Sequence, residues 1–229
     1  MRGTGLIREL DAAGFRAVLD QLAAVYAAAM RPQPDQLPGR RVNMDRHAGY
    51  PGFRALTVAA DPGGPVIAFS YGFRGAAGQW WHDVVSTGIR AAWGAPLAAA
   101  WMDYTMEIAE VHVHPAHQGR GIGRAMLGTL TAGRAERTAV LSTMDADTPA
   151  RRLYRGLGFT DLLTRYVFPG DSPPYAVMGA VLPLRDVRGL PPSAADRPPW
   201  PGSAARSGSA AGSASAARTG TAAGAPGAA

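Results

Sequence analysis

The chain has 229 residues, among them 23 arginines and no lysine, 17 acidic residues and no cysteine, for a net charge of +6. That length holds one substantial domain with an appendage, or two small domains, and 47% apolar against 17% charged residues is enough to bury a core. The missing cysteine excludes disulfides, a thiolate nucleophile, cysteine zinc sites and iron–sulfur clusters, and the missing lysine excludes an amine nucleophile and a Walker loop.

Met1 to Glu9 has no apolar run of signal-peptide type. The longest apolar run, Ala91 to Met102, is interrupted by Gly94 and Pro96 and is too short to cross a bilayer. A cytoplasmic protein with no membrane partner is therefore expected. In chain order, Gly5 to Leu10 reads as a short strand. Asp11 to Met30 reads as one helix, with Phe15, Val18, Leu22, Val25 and Tyr26 at helical spacing. Residues 31–52 read as a loop holding a short helix around Asp35 to Met44. Strands at Arg54 to Ala60 and Pro65 to Phe73 flank Asp61-Pro62-Gly63-Gly64, where proline presets φ and glycine permits its positive values. Gln79 to Met102 reads as a long helical insertion broken at Gly94. There follow a strand from Tyr104 to Val113, a helix from Gly121 to about Glu136, a strand from Thr138 to Thr143, a short helix opened by Thr148 and Pro149, and strands at Phe159 to Phe168 and Tyr175 to Leu184. The expectation is an α/β (α+β mixed) fold with one parallel pair of strands in its second half.

Beyond residue 185 the chain turns to Pro, Ala, Gly and Ser with almost no large apolar residue. Such a segment buries too little surface to offset its ordering entropy, so a folded domain over 1–184 and a disordered tail over 185–229 are expected. The tail holds five arginines against two aspartates, half of the excess charge. With Trp200 the one aromatic among those arginines, a nucleic-acid partner is not expected.

Chemistry concentrates in Val111-His112-Val113-His114-Pro115-Ala116-His117-Gln118-Gly119-Arg120-Gly121-Ile122-Gly123-Arg124. A strand ends, three glycines in five positions let backbone N–H groups converge, and a helix begins at once between two arginines. That is a cradle for a pyrophosphate. A Rossmann loop would need glycine at Arg124 and a leading position in the chain. A zinc site built on His112, His114 and His117 would lack a completing carboxylate or cysteine and leave the glycines without a role, so no metal is expected.

Gln-Gly-Arg-Gly-Ile-Gly resembles motif A (Gln/Arg-x-x-Gly-x-Gly/Ala) of the GNAT superfamily of acyl-CoA-dependent N-acetyltransferases. Thr148 to Phe159, with Ala150, Leu153, Tyr154, Gly158 and Phe159, resembles its motif B, except that Asp147 stands at the usual asparagine. The resemblance implies a mixed sheet of about seven strands, splayed in the middle and flanked by helices on both faces. It implies acetyl-CoA as co-substrate, with pantetheine against Val111, His112 and Val113, the pyrophosphate on Gln118, Gly119, Arg120, Gly121, Ile122, Gly123 and Arg124, and a contact from Asp147. It also implies direct attack by a primary amine of a small molecule or peptide, with Tyr154 protonating the leaving thiolate. Glu107 and Glu110 are equal candidates for the general base. Their parity sets them on opposite faces of a regular strand, and Glu110 shares its face with His112. The acceptor pocket is expected between 31–53 and 168–175, with Trp80, Trp81, His82 and Asp83 either lining it or only packing the insertion on the sheet. A CoA-binding module without turnover is the alternative, and a homodimer is left open.

Overall fold

One mixed sheet runs through the chain in the order β1-β2-β3-β4-β5-β7-β6 in the computed structural model, which describes residues 7–170 and 173–184. The strands are β1 (Ile7–Leu10), β2 (Arg54–Ala59), β3 (Val66–Arg74), β4 (Thr105–Val113), β5 (Thr138–Met144), β6 (Thr160–Tyr166) and β7 (Tyr175–Val181). Every pairing is antiparallel except β4 with β5. The segment expected to be a tail, 185–229, lies outside the described residues.

The first helical segment differs from the expectation. The run from Asp11 breaks at Val18 (φ −113°, ψ 10°) into α1 (Ala12–Ala17) and α2 (Leu19–Met30), so that Phe15 and Leu22 both reach the core. The short helix expected around Asp35 to Met44 within 31–52 is α3 (Gln36–His47), which runs three residues further than expected. Pro38 is tolerated there because it falls in the first turn, where backbone N–H groups have no helical acceptor. The insertion forms α4 (Trp80–Trp93) and α5 (Ala95–Met102), broken at Gly94 (φ 88°) as expected. After β4, α6 (Ile122–Thr131) stops five residues short of Glu136, since Thr131 Oγ1 donates back to Leu127 O (2.8 Å) and Gly133 turns the chain at φ 68°. Glu136 instead takes bonds from Arg74 (3.1 Å) and Arg134 (2.8 Å). The last helix is α7 (Pro149–Arg155), capped by Thr148 Oγ1 accepting from Arg151 N–H (3.1 Å).

The second departure sets the site. β3 pairs Tyr71 with Glu110 but Gly72 with Ile108, so Ala109 is an extra residue, a bulge in β4. Met106 and Ile108 face α6 before the bulge and Val111 faces it after, all packed with Ile122, Met126, Leu127 and Leu130. The two glutamates therefore do not lie on opposite faces. The bulge adds one residue between them and turns both toward α3.

Gly72 is what lets β3 follow. A Cβ there would stand 2.5 Å from Glu107 O and 2.7 Å from Met106 Cε, and a backbone oxygen in a paired strand cannot yield cheaply. Gly72→Ala is expected to lower stability by about 1–3 kcal/mol, the usual cost of overpacking a filled interior, read as a lower urea midpoint at constant slope. An unchanged midpoint would mean that the bulge is not pinned from this side.

Candidate active site

β4 and β5 pair only at Thr105 with Thr138, Met106 with Ala139 and Glu107 with Val140. Past Glu107 they part, and a slot opens in the sheet. His114 N–H donates to Ile67 O on β3 (2.8 Å); by strand alternation the N–H and C=O groups of Val113 and Val111 turn the other way, into the slot. Gln118 Nε2 closes on Val113 O (3.0 Å) and ties the following loop to the strand end.

That loop enters α6 through Gly119 (φ 72°) and Gly121 (φ 81°), values that would strain any residue with a Cβ. A Cβ at either position would point into open space. The first-turn N–H groups of Ile122, Gly123 and Arg124 have no helical acceptor and face outward along the axis. Arg120 is braced on Ala116 O (3.0 Å) and Arg124 on Gly156 O (3.4 Å). Convergent donors, the positive end of α6 and two held guanidiniums fit a pyrophosphate, and the unpaired strand edge beside them fits an amide-bearing arm. The Ile122 side chain is buried in the core and offers only its backbone here. Asp147 faces solvent, paired with Arg152 (2.8 Å), and its carboxylate is turned to its own helix.

A cavity of about 280 Å³ opens where the slot begins, lined by α3, the start of α4, the bulged stretch of β4 and Ser142 of β5. Glu107 and Glu110 both reach it and differ sharply. Glu107 is 5% exposed and its Oε2 has no partner. Burial without a nearby cation pushes its carboxyl up to about 8. Burial raises Glu110 as well, but the Arg40 guanidinium (2.9 Å to Oε1), His112 and His47 outweigh it and hold the carboxyl below its usual range. Its Oε2 meets His112 Nε2, the pairing expected from their shared face. His112 packs edge-on to Tyr26 (5.1 Å), and Arg40 lies over the Tyr26 ring (4.9 Å). His47, a cavity residue that the sequence did not single out, is held by burial at about 4 and touches Tyr71 Oη through Nδ1 (3.0 Å).

Tyr154 is 1% exposed between α6 and the sheet. Burial, then the charge of Glu110, raises its phenol above the ordinary value, so the group stays protonated at neutral pH. Of the two segments expected to form the acceptor pocket, one borders this cavity. Residues of α3 line the cavity, whereas Phe168 and Tyr175 pack in the core with Val177. Trp81 does both jobs: it packs α4 on the sheet, donates to Ser142 Oγ (3.3 Å) and borders the cavity beside Trp80. His82 turns away to Met102 O (3.1 Å), and Asp83 turns to Gly78 N–H. Among the described residues no group of three or more His, Asp or Glu could hold a metal ion, and no helix is long and apolar enough to cross a membrane.

Comparison with known proteins agrees with this geometry. The model of the family described as Acetyltransferase (GNAT) domain matches residues 58–161. The chain is 42% identical over 135 residues to the GCN5-like protein acetyltransferase Rv2170 of Mycobacterium tuberculosis, covering 57% of this chain and 66%, just under two thirds, of that protein. Among solved structures, yncA of Salmonella typhimurium with its cofactor acetyl-CoA superposes with TM-score 0.52 at 21% identity, over 84% of this chain and 99% of that one. The ribosomal-protein-S18-alanine N-acetyltransferase of Escherichia coli superposes with TM-score 0.51 at 16% identity, over 81% and 98%.

Proposed function

Since the chain belongs to the GNAT family of acetyltransferases, we propose that it transfers an acetyl group from acetyl-CoA to a primary amine by direct attack within a ternary complex. The observation that carries this reading is the position of Glu107. It is the last β4 residue paired with β5, so its carboxyl lies where the cofactor slot and the acceptor cavity meet.

Acetyl-CoA supplies the acyl group as a thioester. The N–H groups of Ile122, Gly123 and Arg124, with Arg120 and Arg124, hold its pyrophosphate, and the edge of β4 at Val111 and Val113, unpaired with β5, aligns its arm. The amine enters from the α3 side, and Glu107 removes its proton. A carboxyl near 8 suits that task, because a base works best when its affinity for the proton is close to the operating pH. Glu110, ionised and already bonded to Arg40 and His112, positions this wall of the cavity. The Tyr154 O–H, kept protonated by burial, is the donor for the leaving sulfur. That the mycobacterial relative is a GCN5-like protein acetyltransferase supports including peptides among the acceptors.

Thiol release from acetyl-CoA across a panel of small amines and lysine peptides, with the product identified by mass, tests this. Saturable CoA binding with no release across the panel would leave a binding module. Arg120→Ala with Arg124→Ala is expected to weaken CoA binding by about 10- to 100-fold, two charge-assisted contacts to phosphate being lost. The same pair should barely alter the use of acetyl-pantetheine, which lacks the pyrophosphate. Equal losses with both donors would remove these arginines from the phosphate site.

A further inference from the structure

We propose that the acceptor amine carries an anionic group, a carboxylate or a phosphate, which Arg46 holds at the cavity mouth while the amine meets Glu107. This rests on the acetyl-transfer reading of the same cavity and adds the acceptor's charge to it.

The charges on the cavity wall do not balance. Arg40 and Arg46 both line it. Arg40 is ion-paired with Glu110 (2.9 Å). Arg46 Nη2 donates to Asn43 Oδ1 (2.7 Å), a neutral amide on its own helix, and among the described residues it has no carboxylate partner. The nearby acids are committed elsewhere: Asp45 to Arg16 (2.8 Å) and Asp20 to Arg41 (3.1 Å). Of the other ionisable groups on the wall, Glu107 is neutral over most of the range below about 8 and His47 is neutral above about 4. At neutral pH two guanidiniums thus face one carboxylate.

A simple ammonium ion entering such a cavity meets net repulsion, whereas an amine tethered to an anion brings its own counter-charge. The guanidinium fork matches the two oxygens of a carboxylate or phosphate. At about 280 Å³ the cavity sits at the small end of ligand sites, roughly 300–1,000 Å³. It accepts a small zwitterion, or one side chain with its neighbour, so amine and anion must be only a short linker apart. Tyr50 and Trp80 border the space between and offer apolar faces to that linker.

The test is thiol release from acetyl-CoA with matched pairs. Short ω-amino carboxylates and aminoalkyl phosphates are compared with their neutral amide or alcohol counterparts, and lysine peptides flanked by Glu with the same peptides flanked by Gln. The wild-type protein is expected to favour the anionic member by about 10- to 100-fold in kcat/KM, mainly through KM, the range of one or two charge-assisted hydrogen bonds. Arg46→Glu, an exposed substitution, is expected to abolish or reverse that ratio. Preference in the free amines alone identifies a small-molecule acceptor, and preference in the peptides alone an acid-flanked lysine; either supports the inference. Ratios near one, or a ratio that survives Arg46→Glu, overturn it while acetyl transfer stands. No release from any acceptor overturns acetyl transfer and this inference together.

Discussion

Glu107→Gln is expected to lower kcat/KM by about 10²- to 10⁴-fold, the usual contribution of a positioned general base, without unfolding the protein. The side chain makes no ion pair, and its Oε2 has no hydrogen-bond partner, so the amide leaves no charge stranded. Wild-type kcat/KM should rise with pH through about 8, where the carboxyl ionises, and the variant should lose that limb. Stability gives an independent reading. The folded carboxyl titrates near 8 against its ordinary 4.5, so the folded state holds a proton that the unfolded state releases. The wild-type advantage is complete below pH 4.5 and drains as pH rises to 8. Glutamine cannot ionise, so the variant should gain on the wild type by ~1.4 kcal/mol per pH unit across that window and level off above it. Urea midpoints at pH 5, 7 and 9 would show it. A variant within threefold of wild-type kcat/KM at every pH would remove Glu107 as the base.

How far the site is legible in the sequence depends on which atoms build it. The phosphate cradle is written in backbone requirements: positive φ at Gly119 and Gly121 and a helix start at Ile122 leave glycines at fixed spacing, and spacing survives in a one-dimensional string. Alternation and short connections give the antiparallel first half and the one parallel pair, β4 with β5, but not the insertion of β7 between β5 and β6. The facing of Glu107 and Glu110 does not, because a bulge at Ala109 has no residue signature on β4 itself; its visible cause is Gly72 on the neighbouring strand, some 37 residues earlier. Parity counting fails wherever one extra residue is absorbed by a partner strand. Likewise α3 is legible as a short helix around Asp35 to Met44 but not in its run to His47, and its residues Arg40, Asn43 and His47 reach the cavity at helical spacing. Ser142, inside an apolar strand, carries no signal at all until β4 and β5 are seen to part beside it.

Glu110→Gln is expected to cost about 3–5 kcal/mol, the penalty for leaving one member of a buried ion pair uncompensated, the reverse of the Glu107 result. Arg40 has only 12% of its side chain exposed and Glu110 only 1%, and the carboxylate serves both Arg40 and His112. For a domain of this size the loss corresponds to a fall in Tm of about 10 °C. The sign with pH is also opposite. The Glu110 carboxyl lies below its ordinary range when folded, so its contribution is present above pH 4.5 and is lost as pH falls through the lowered value. The gap between wild type and variant should therefore be full at pH 7 and shrink only in acid. Adding Arg40→Met should recover part of the loss, because the stranded guanidinium goes with it. A double variant less stable than Glu110→Gln alone would mean that Arg40 is held chiefly by its packing over Tyr26. Taken with Glu107, the expected split is a rate effect with the fold intact at one glutamate and a fold effect at the other. Both face the same cavity; what separates them is that a guanidinium reaches Glu110 and none reaches Glu107.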